Sequence, residues 1–304
     1  MTDVLGRKAG DFIVRANADN VPFFVYLSTY APHVPVKPAP RHAALMPDLK
    51  APQTASFNEA DVSDKPDGLR SDPLLSDDEI KTLDEEYRAR VLTMQAVDEM
   101  IAGLITVLQE TGQLENTYII FTSDNGYHLG QHRLRAGKDV PYEEDIHVPF
   151  IIRGPSIEPQ TTLQGYITGN VDFAPTIAEL AGVLPPEYVD GRSMVGLLNG
   201  ERPLPSEWRS AYLLEFYGYN QADEDPNAAA PKPNYLGLRT QEYLYVEYQD
   251  GFIELYDLIA DPYEMENIAA TADPALLERL SAWLKALSTC TGGQCRELDQ
   301  SVSK

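Results

Sequence analysis

Basic residues are scarce in this sequence: 24 Lys and Arg stand against 47 Asp and Glu, for a formal net charge of -23. A chain with no basic excess gains no counterion release on phosphates, which excludes nucleic acid as a partner. The acidity itself favours solubility. An anionic substrate would have to be drawn by a local basic cluster against the overall field. Cysteine is scarcer still, with Cys290 and Cys295 in CTGGQC and no histidine nearby, so a zinc site there is excluded. The short Gly-containing loop fits either a disulfide or two free thiols, and a disulfide would imply an oxidising compartment. There is no Asn-x-Ser/Thr sequon, hence no acceptor for N-glycosylation. No run of about 18 apolar residues stands out, so no membrane-spanning segment is expected. The first residues, MTDVLGRKAGDFIVRANAD, carry charges every few positions and do not form a signal peptide.

What is present reads as a globular protein, 43% hydrophobic over 304 residues, enough for one large α/β domain or a domain with a smaller companion. Apolar spacing predicts a helix over 3–16, and VPFFVYLS (21–28) suits a strand buried on both faces. A Pro-rich loop, APHVPVKPAPRH, follows, and 48–76 is expected to be a polar surface excursion. Residues 77–111 give the strongest helix signal, with Ser76 and Glu79 spaced as a capping box and Gly112 as the stop. TYIIFTS (117–123) and VPFIIRGP (148–155) are predicted strands, and VDFAPTIAELAGV (171–183) a helix. Strand–helix alternation through this part predicts an α/β domain with a parallel sheet over 1–205. From 206 to 304 the texture becomes Tyr-rich, with short segments YLLEFYG, NYLGLRT, EYLYVEYQDG and FIELYDL and a closing amphipathic helix, DPALLERLSAWLKALS. That predicts a smaller antiparallel sheet with a helix. ADEDPNAAAPKP (222–233) is a low-complexity patch expected to be a loop.

The chemistry concentrates in FTSDNGYHLGQHRLRAGK (121–138). Ligands of doubly wound sheets sit at the carboxyl ends of strands, and Asp124–Asn125 fall at such an end. One charged and one neutral oxygen donor suit calcium or magnesium better than zinc. Taken alone, Ser-Asp-Asn-Gly is also an ordinary turn, His33 a loop histidine, and Lys138 a solvated lysine.

Together with their surroundings these residues resemble the sulfatases of the alkaline-phosphatase-like superfamily. The apolar strand, S-D-N-G, a His-containing loop, Gly-Lys, Y-E and V-P-x-x-R-G-P are all matched within 117–155. A-P-H-x-P (31–35), VDFAPTIAELAG, DGRSM (190–194) and YLYVEYQDGFIELYDLIADPYEMEN (243–267) match further family segments. Y-H-L-G-Q-H is most similar to the glucosamine-6-sulfatase type. The resemblance implies a partial alkaline-phosphatase-like α/β domain with a smaller C-terminal antiparallel subdomain, and sulfuric ester hydrolysis on a sulfated sugar or aryl sulfate. It implies that Asp124 and Asn125 are ligands of one calcium-like ion, and that Lys138 and His33 contact sulfate oxygens. His128 would line the pocket, and Arg133, Arg135 and His132 would attract an anionic sugar or form a solvated basic loop.

The family's nucleophile, a formylglycine made from a C/S-x-P/A-x-R motif, has no counterpart in these 304 residues, nor do the paired acidic metal ligands of its N-terminal strand. The expectation is therefore the C-terminal portion of a sulfatase, truncated or complemented by an N-terminal segment or a separate chain, and poorly active alone. The alternative is a non-catalytic sulfate- or glycan-binding protein. Family habit points to the periplasm or the exterior, although the chain shows no export signal.

Overall fold

The computed structural model describes residues 1–218 and 233–300; the 222–233 patch lies, except for its last residue, outside the described residues. In chain order the principal elements are α1 (Thr2–Ala18), α2 (Asp67–Arg70), α3 (Asp77–Glu110), β1 (Ile119–Thr122), α4 (Glu143–Ile146), β2 (Phe150–Arg153), α5 (Phe173–Leu180), α6 (Val195–Leu198), α7 (Pro205–Trp208), β3 (Ala211–Phe216), β4 (Tyr235–Thr240), β5 (Tyr243–Tyr248), β6 (Ile253–Asp257), α8 (Pro274–Leu287) and α9 (Gly293–Leu298). They fall into two compact units. One comprises Met1–Gln53, Leu75–Phe121 and Phe150–Pro155, and the other Thr54–Leu74, Thr122–Pro149 and Ser156–Lys304.

In the first unit α1 packs along α3. Gly6 makes the close approach possible, since a Cβ there would lie 2.8 Å from Met100 Cγ. Ile13, Leu108 and Leu114 form a small core with Phe23, Leu104 and Ile119 against them. The α3 start is as predicted: Ser76 Oγ accepts from Glu79 N–H while the Glu79 carboxylate accepts from Ser76 N–H. Contrary to expectation, α3 is by length and composition apolar enough to cross a membrane. Within it, however, Glu99 pairs with Arg41 and His42, and Leu92, Ala96, Val97 and Leu108 are buried, as in a packed helix.

β1 and β2 form a two-stranded sheet. The stretch 21–28 is not a strand. Its residues largely alternate between half-buried and exposed, with Phe24 at 62% and Tyr26 at 83% exposure. A strand needs a hydrogen-bonded neighbour to form a ladder, and apolar content alone did not supply one. The Pro-rich loop is anchored by Arg90, whose Nη1 donates to Pro32 O at 2.9 Å.

The second unit is built on an antiparallel meander, β3-β4-β5-β6, with register Leu238↔Tyr245 and Tyr245↔Leu255 among its pairs. Gly251 at φ 90° makes the β5–β6 turn that Q-D-G predicted. Both faces of this sheet are covered, which is why alternation in β5 is incomplete. One face packs Leu238, Tyr245 and Leu255 against Leu280, Leu284 and Leu287 of α8. The other packs Leu244, Val246, Tyr248 and Tyr256 with Tyr142 and Val140. Glu254, fully buried on that face, accepts the hydroxyls of Tyr142, Tyr248 and Tyr256 at 2.8, 2.6 and 2.7 Å. Burial pushes its carboxyl up, against those three donors.

Arg209 joins distant parts of the unit. Its guanidinium grips Asp172 at 2.6 and 2.8 Å and reaches Asp299 at 2.8 Å, and Arg192 also pairs with Asp299. Cys290 and Cys295 are disulfide-bonded.

The stretch 54–74 corrects the sequence reading most. It is not a solvated excursion: Ser56, Glu59, Val62, Lys65 and Leu69 are buried. Lys65 is fully enclosed, its Nζ donating to Glu264 O and Met265 O at 2.9 Å each and lying 4.8 Å from the Tyr256 ring centroid. Polar composition implies a surface only when the polar groups lack internal partners.

Candidate active site

β1 ends at Thr122, and Ser123-Asp124-Asn125-Gly126 turns the chain sharply away from it. Gly126 is required by close backbone approach: its N–H donates to Asp145 O at 2.8 Å, and a Cβ would lie 2.0 Å from Glu144 O. Tyr127 N–H donates to Glu144 O at 2.8 Å. The loop is thereby sewn to α4, whose local sequence Y-E-E-D supplies both carbonyls.

Beyond the turn, His128 and Gly137 exchange backbone hydrogen bonds at 2.9 and 3.2 Å. This bridge brings Lys138 back beside the turn, and its Nζ donates to Asn125 Oδ1 at 3.2 Å. Asn125 Nδ2 donates to Gly126 O at 2.7 Å, which fixes the carboxamide. Asp124 is exposed; its Oδ1 accepts from Asn125 N–H at 3.0 Å, and its carbonyl accepts from Asn170 Nδ2 at 3.0 Å. Asn170 is positioned next to Asp172, the buried partner of Arg209. The structure thus brings Lys138 to Asn125, with Asp124 adjacent in the same turn.

His128 is buried, with Nδ1 held by Asp145 Oδ1 and Oδ2 at 2.9 and 3.0 Å. Asp145 Oδ2 also accepts from Val140 N–H at 3.0 Å. Asp145 was missed in the sequence; its sole signal was an acidic residue in the Y-E-E-D stretch. Arg133 is engaged elsewhere: its guanidinium donates to the carbonyls of Glu59, Ala60 and Asp72 at 2.8, 2.6 and 2.9 Å. Arg135 is exposed. His132 is not part of a basic surface loop but fully buried, with Nδ1 on Glu59 Oε2 at 2.6 Å. His33 belongs to the first unit. It is exposed, its Nδ1 lies 2.8 Å from Val34 O, and its ring meets Tyr30 edge-on.

The donor chemistry of Asp124 and Asn125 fits a hard cation. Both offer oxygen, and the fixed carboxamide directs Oδ1 away from its own backbone contact. Oδ1 has a second lone pair beyond the one that Lys138 uses. Two ligands are part of the six to eight oxygens, roughly, that calcium takes. Close by, the Glu143 carboxyl is pushed up by burial, but hydrogen bonds from His147 and Arg239 outweigh this and bring it down to about 2.

The sequence profile of the family described as Sulfatase matches residues 1–183. The chain belongs to the sulfatase family. A second profile, N-sulphoglucosamine sulphohydrolase, C-terminal, matches residues 130–289. N-acetylglucosamine-6-sulfatase of Homo sapiens is 35% identical over 97% of this chain and 57% of its own length. An arylsulfatase of Volvox carteri is 36% identical over 97% of this chain and 52% of its own. The chain therefore spans about half the length of these curated relatives. Among solved structures, BT4656 in complex with its substrate D-glucosamine-2-N,6-O-disulfate superposes with a TM-score of 0.80 and 26% identity, covering 100% of this chain and 71% of that one. The fold of this sulfatase is accordingly a partial alkaline-phosphatase-like α/β domain with a C-terminal antiparallel subdomain and helix, and the family is glucosamine-6-sulfatase-like.

Proposed function

We propose that this chain carries part of a sulfuric ester hydrolase site directed at a 6-sulfated amino sugar. The observation that carries the reading is the Lys138 ammonium held at 3.2 Å from Asn125 Oδ1, next to the exposed Asp124 carboxylate at the end of β1. Asp124 and Asn125 would hold a calcium-like ion, which when bound supplies Lewis-acid neutralisation of charge on an ester oxygen. Lys138 contributes a fixed positive charge to a sulfate oxygen. Asp145 fixes the orientation of His128, and Arg135, exposed on the same loop, would attract a sugar sulfate. With its donors on backbone carbonyls, Arg133 shapes the loop.

The 304 residues contain no C/S-x-P/A-x-R motif, so the covalent step has no identified nucleophile among them. That observation favours a second reading, sulfate binding without turnover, and both are tested together. Binding of N-acetylglucosamine 6-sulfate to the purified chain is measured by calorimetry with calcium and with chelator, and sulfate release is measured in the same samples. We expect saturable, calcium-dependent binding, weakened about 10–100-fold by Lys138→Ala, as loss of a charge-assisted hydrogen bond dictates. Sulfate release should not exceed that of a Lys138→Ala, His33→Ala double variant. Release well above that variant would overturn the expectation of inactivity, and absence of binding up to millimolar sugar would overturn the site.

A further inference from the structure

A second cluster of metal-ligating groups lies within the Thr54–Leu74, Thr122–Pro149 and Ser156–Lys304 unit, and shares no residue with the Asp124–Asn125 pair. His132, Glu144 and Glu264 each present a ligand atom, and these atoms lie within 4.8 Å of one another. His132 and Glu264 are at 0% exposure. Each leaves one buried atom without a hydrogen-bond partner, His132 Nε2 and Glu264 Oε1. An orphaned buried imidazole nitrogen and an orphaned carboxylate oxygen are both costly, and neither is explained by the packing around them.

The remaining atoms of the cluster are committed. His132 Nδ1 sits 2.6 Å from Glu59 Oε2, which leaves Nε2 as the nitrogen able to coordinate. A carboxylate on one imidazole nitrogen with the other facing a cation is the arrangement by which proteins orient a metal-binding histidine. Glu59 is steadied in turn by Lys65 Nζ at 3.8 Å. Glu264 Oε2 accepts from Glu143 N–H at 3.0 Å, and Glu144 Oε1 accepts from Ser56 Oγ at 3.3 Å. His132 N–H donates to Ser56 O at 2.7 Å, and Asn58 N–H to Gly130 O at 2.8 Å, so two backbone bonds hold the 54–60 stretch against the histidine. His132 and Glu264 both have positive φ, 50° and 56°, an unfavourable conformation for a non-glycine residue that the surrounding structure must enforce.

Charge counts the same way. Glu59, Glu144 and Glu264 bring three carboxyl groups to the cluster, and Lys65, the cation beside them, lies 3.8 Å from Glu59 and 3.3 Å from Asp64, so acidic groups outnumber the one lysine. Burial, with the neighbouring Glu143, Glu144 and Glu254, pushes the Glu264 carboxyl well up. A cleft of about 400 Å³ that Glu59 lines is largely acidic, with Asp61, Asp64 and Glu266 also on its wall.

We propose that His132 Nε2, Glu144 and Glu264 form a binding site for a divalent transition metal, with Zn²⁺ as the favoured ion. One imidazole and two carboxylates suit zinc, which commonly takes three protein ligands and a water, whereas calcium prefers oxygen throughout. The ion links the loop after β1, α4 and the segment after β6, and the 54–74 stretch reaches it through Glu59 on His132 and Ser56 on Glu144.

The test uses the whole purified chain, stripped with chelator and dialysed against Zn²⁺ or Co²⁺. We expect roughly one Zn²⁺ per chain by plasma emission, a visible Co²⁺ absorption band of mixed nitrogen–oxygen ligation, and a melting temperature raised by Zn²⁺. The metal is retained in Asp124→Asn, and its affinity falls by about tenfold or more in the near-isosteric Glu264→Gln, as loss of an anionic ligand requires. The proposal is overturned if the native chain retains no Zn²⁺ and gives no Co²⁺ band, or if Glu264→Gln retains Zn²⁺ equally. Should Glu264→Gln fail to fold, the Co²⁺ spectrum of the native chain decides: an all-oxygen spectrum overturns the assignment.

Discussion

Asp145 offers the sharpest test of how the candidate site is held. Its carboxylate is buried and is the acceptor for both His128 Nδ1, at 2.9 and 3.0 Å, and Val140 N–H, at 3.0 Å. Replacing it with alanine leaves two buried donors without an acceptor. Each such loss costs about 1–3 kcal/mol, so Asp145→Ala should lower stability by roughly 2–5 kcal/mol, a large share of the ~5–15 kcal/mol that holds most native domains. Asp145→Asn keeps one acceptor oxygen and should lose about 1–2 kcal/mol. The measurement is urea unfolding of both variants, read at the midpoint with an unchanged slope. The backbone carbonyl that accepts from Gly126 N–H remains in both, so the turn itself is expected to persist. An alanine variant within about 0.5 kcal/mol of the parent would refute the reasoning, because it would mean that His128 and Val140 find other partners or water.

Two further outcomes follow from buried charges. Arg209→Met removes the guanidinium that holds Asp172 at 2.6 and 2.8 Å and one of the two arginines paired with Asp299. It should cost about 3–5 kcal/mol by urea unfolding; a loss below about 1 kcal/mol would place the two anions in solvent instead. Stability should also fall in acid. The Glu143 carboxyl is brought to about 2 from the ordinary 4.5, so its contribution, about 3 kcal/mol at most, is full above pH 4.5 and lost as pH drops towards 2. Its partner His147 is raised above 6.5 by Glu143, so its contribution is present below 6.5 and lost as pH rises through the folded value. His147 is mostly exposed, which keeps that limb within a fraction of a kcal/mol, roughly. Unfolding midpoints against pH for the parent and Glu143→Gln measure both limbs, and an unchanged acid limb in the variant would exclude Glu143 as the source.

Local features were legible in the sequence because their physics is local. The Ser76–Glu79 cap, the α3 stop at Gly112, the Q-D-G turn and the four short strands near the C-terminus each depend on residues a few positions apart, and each is found where the pattern put it. The turn carrying Asp124 and Asn125 at the end of β1 was readable for the same reason. The stretch 21–28 was misread because an apolar run specifies extension and burial but not the neighbour that completes a ladder. Residues 54–74 were misread because a polar composition does not reveal that Glu59 and Lys65 have partners 73 and 199 residues away, in His132 and Glu264.

The sequence by itself therefore determined the family, the local elements and the residue types at the turn. Tertiary structure alone decided that Lys138 comes back to Asn125, that Asp145 holds His128, and that buried His132 and Glu264 meet half-buried Glu144. The reason is that hydrogen bonds and ion pairs between distant segments depend on the backbone path between them. Burial then raises the energetic stakes of every such pairing, to a degree that no count of charges along the chain records.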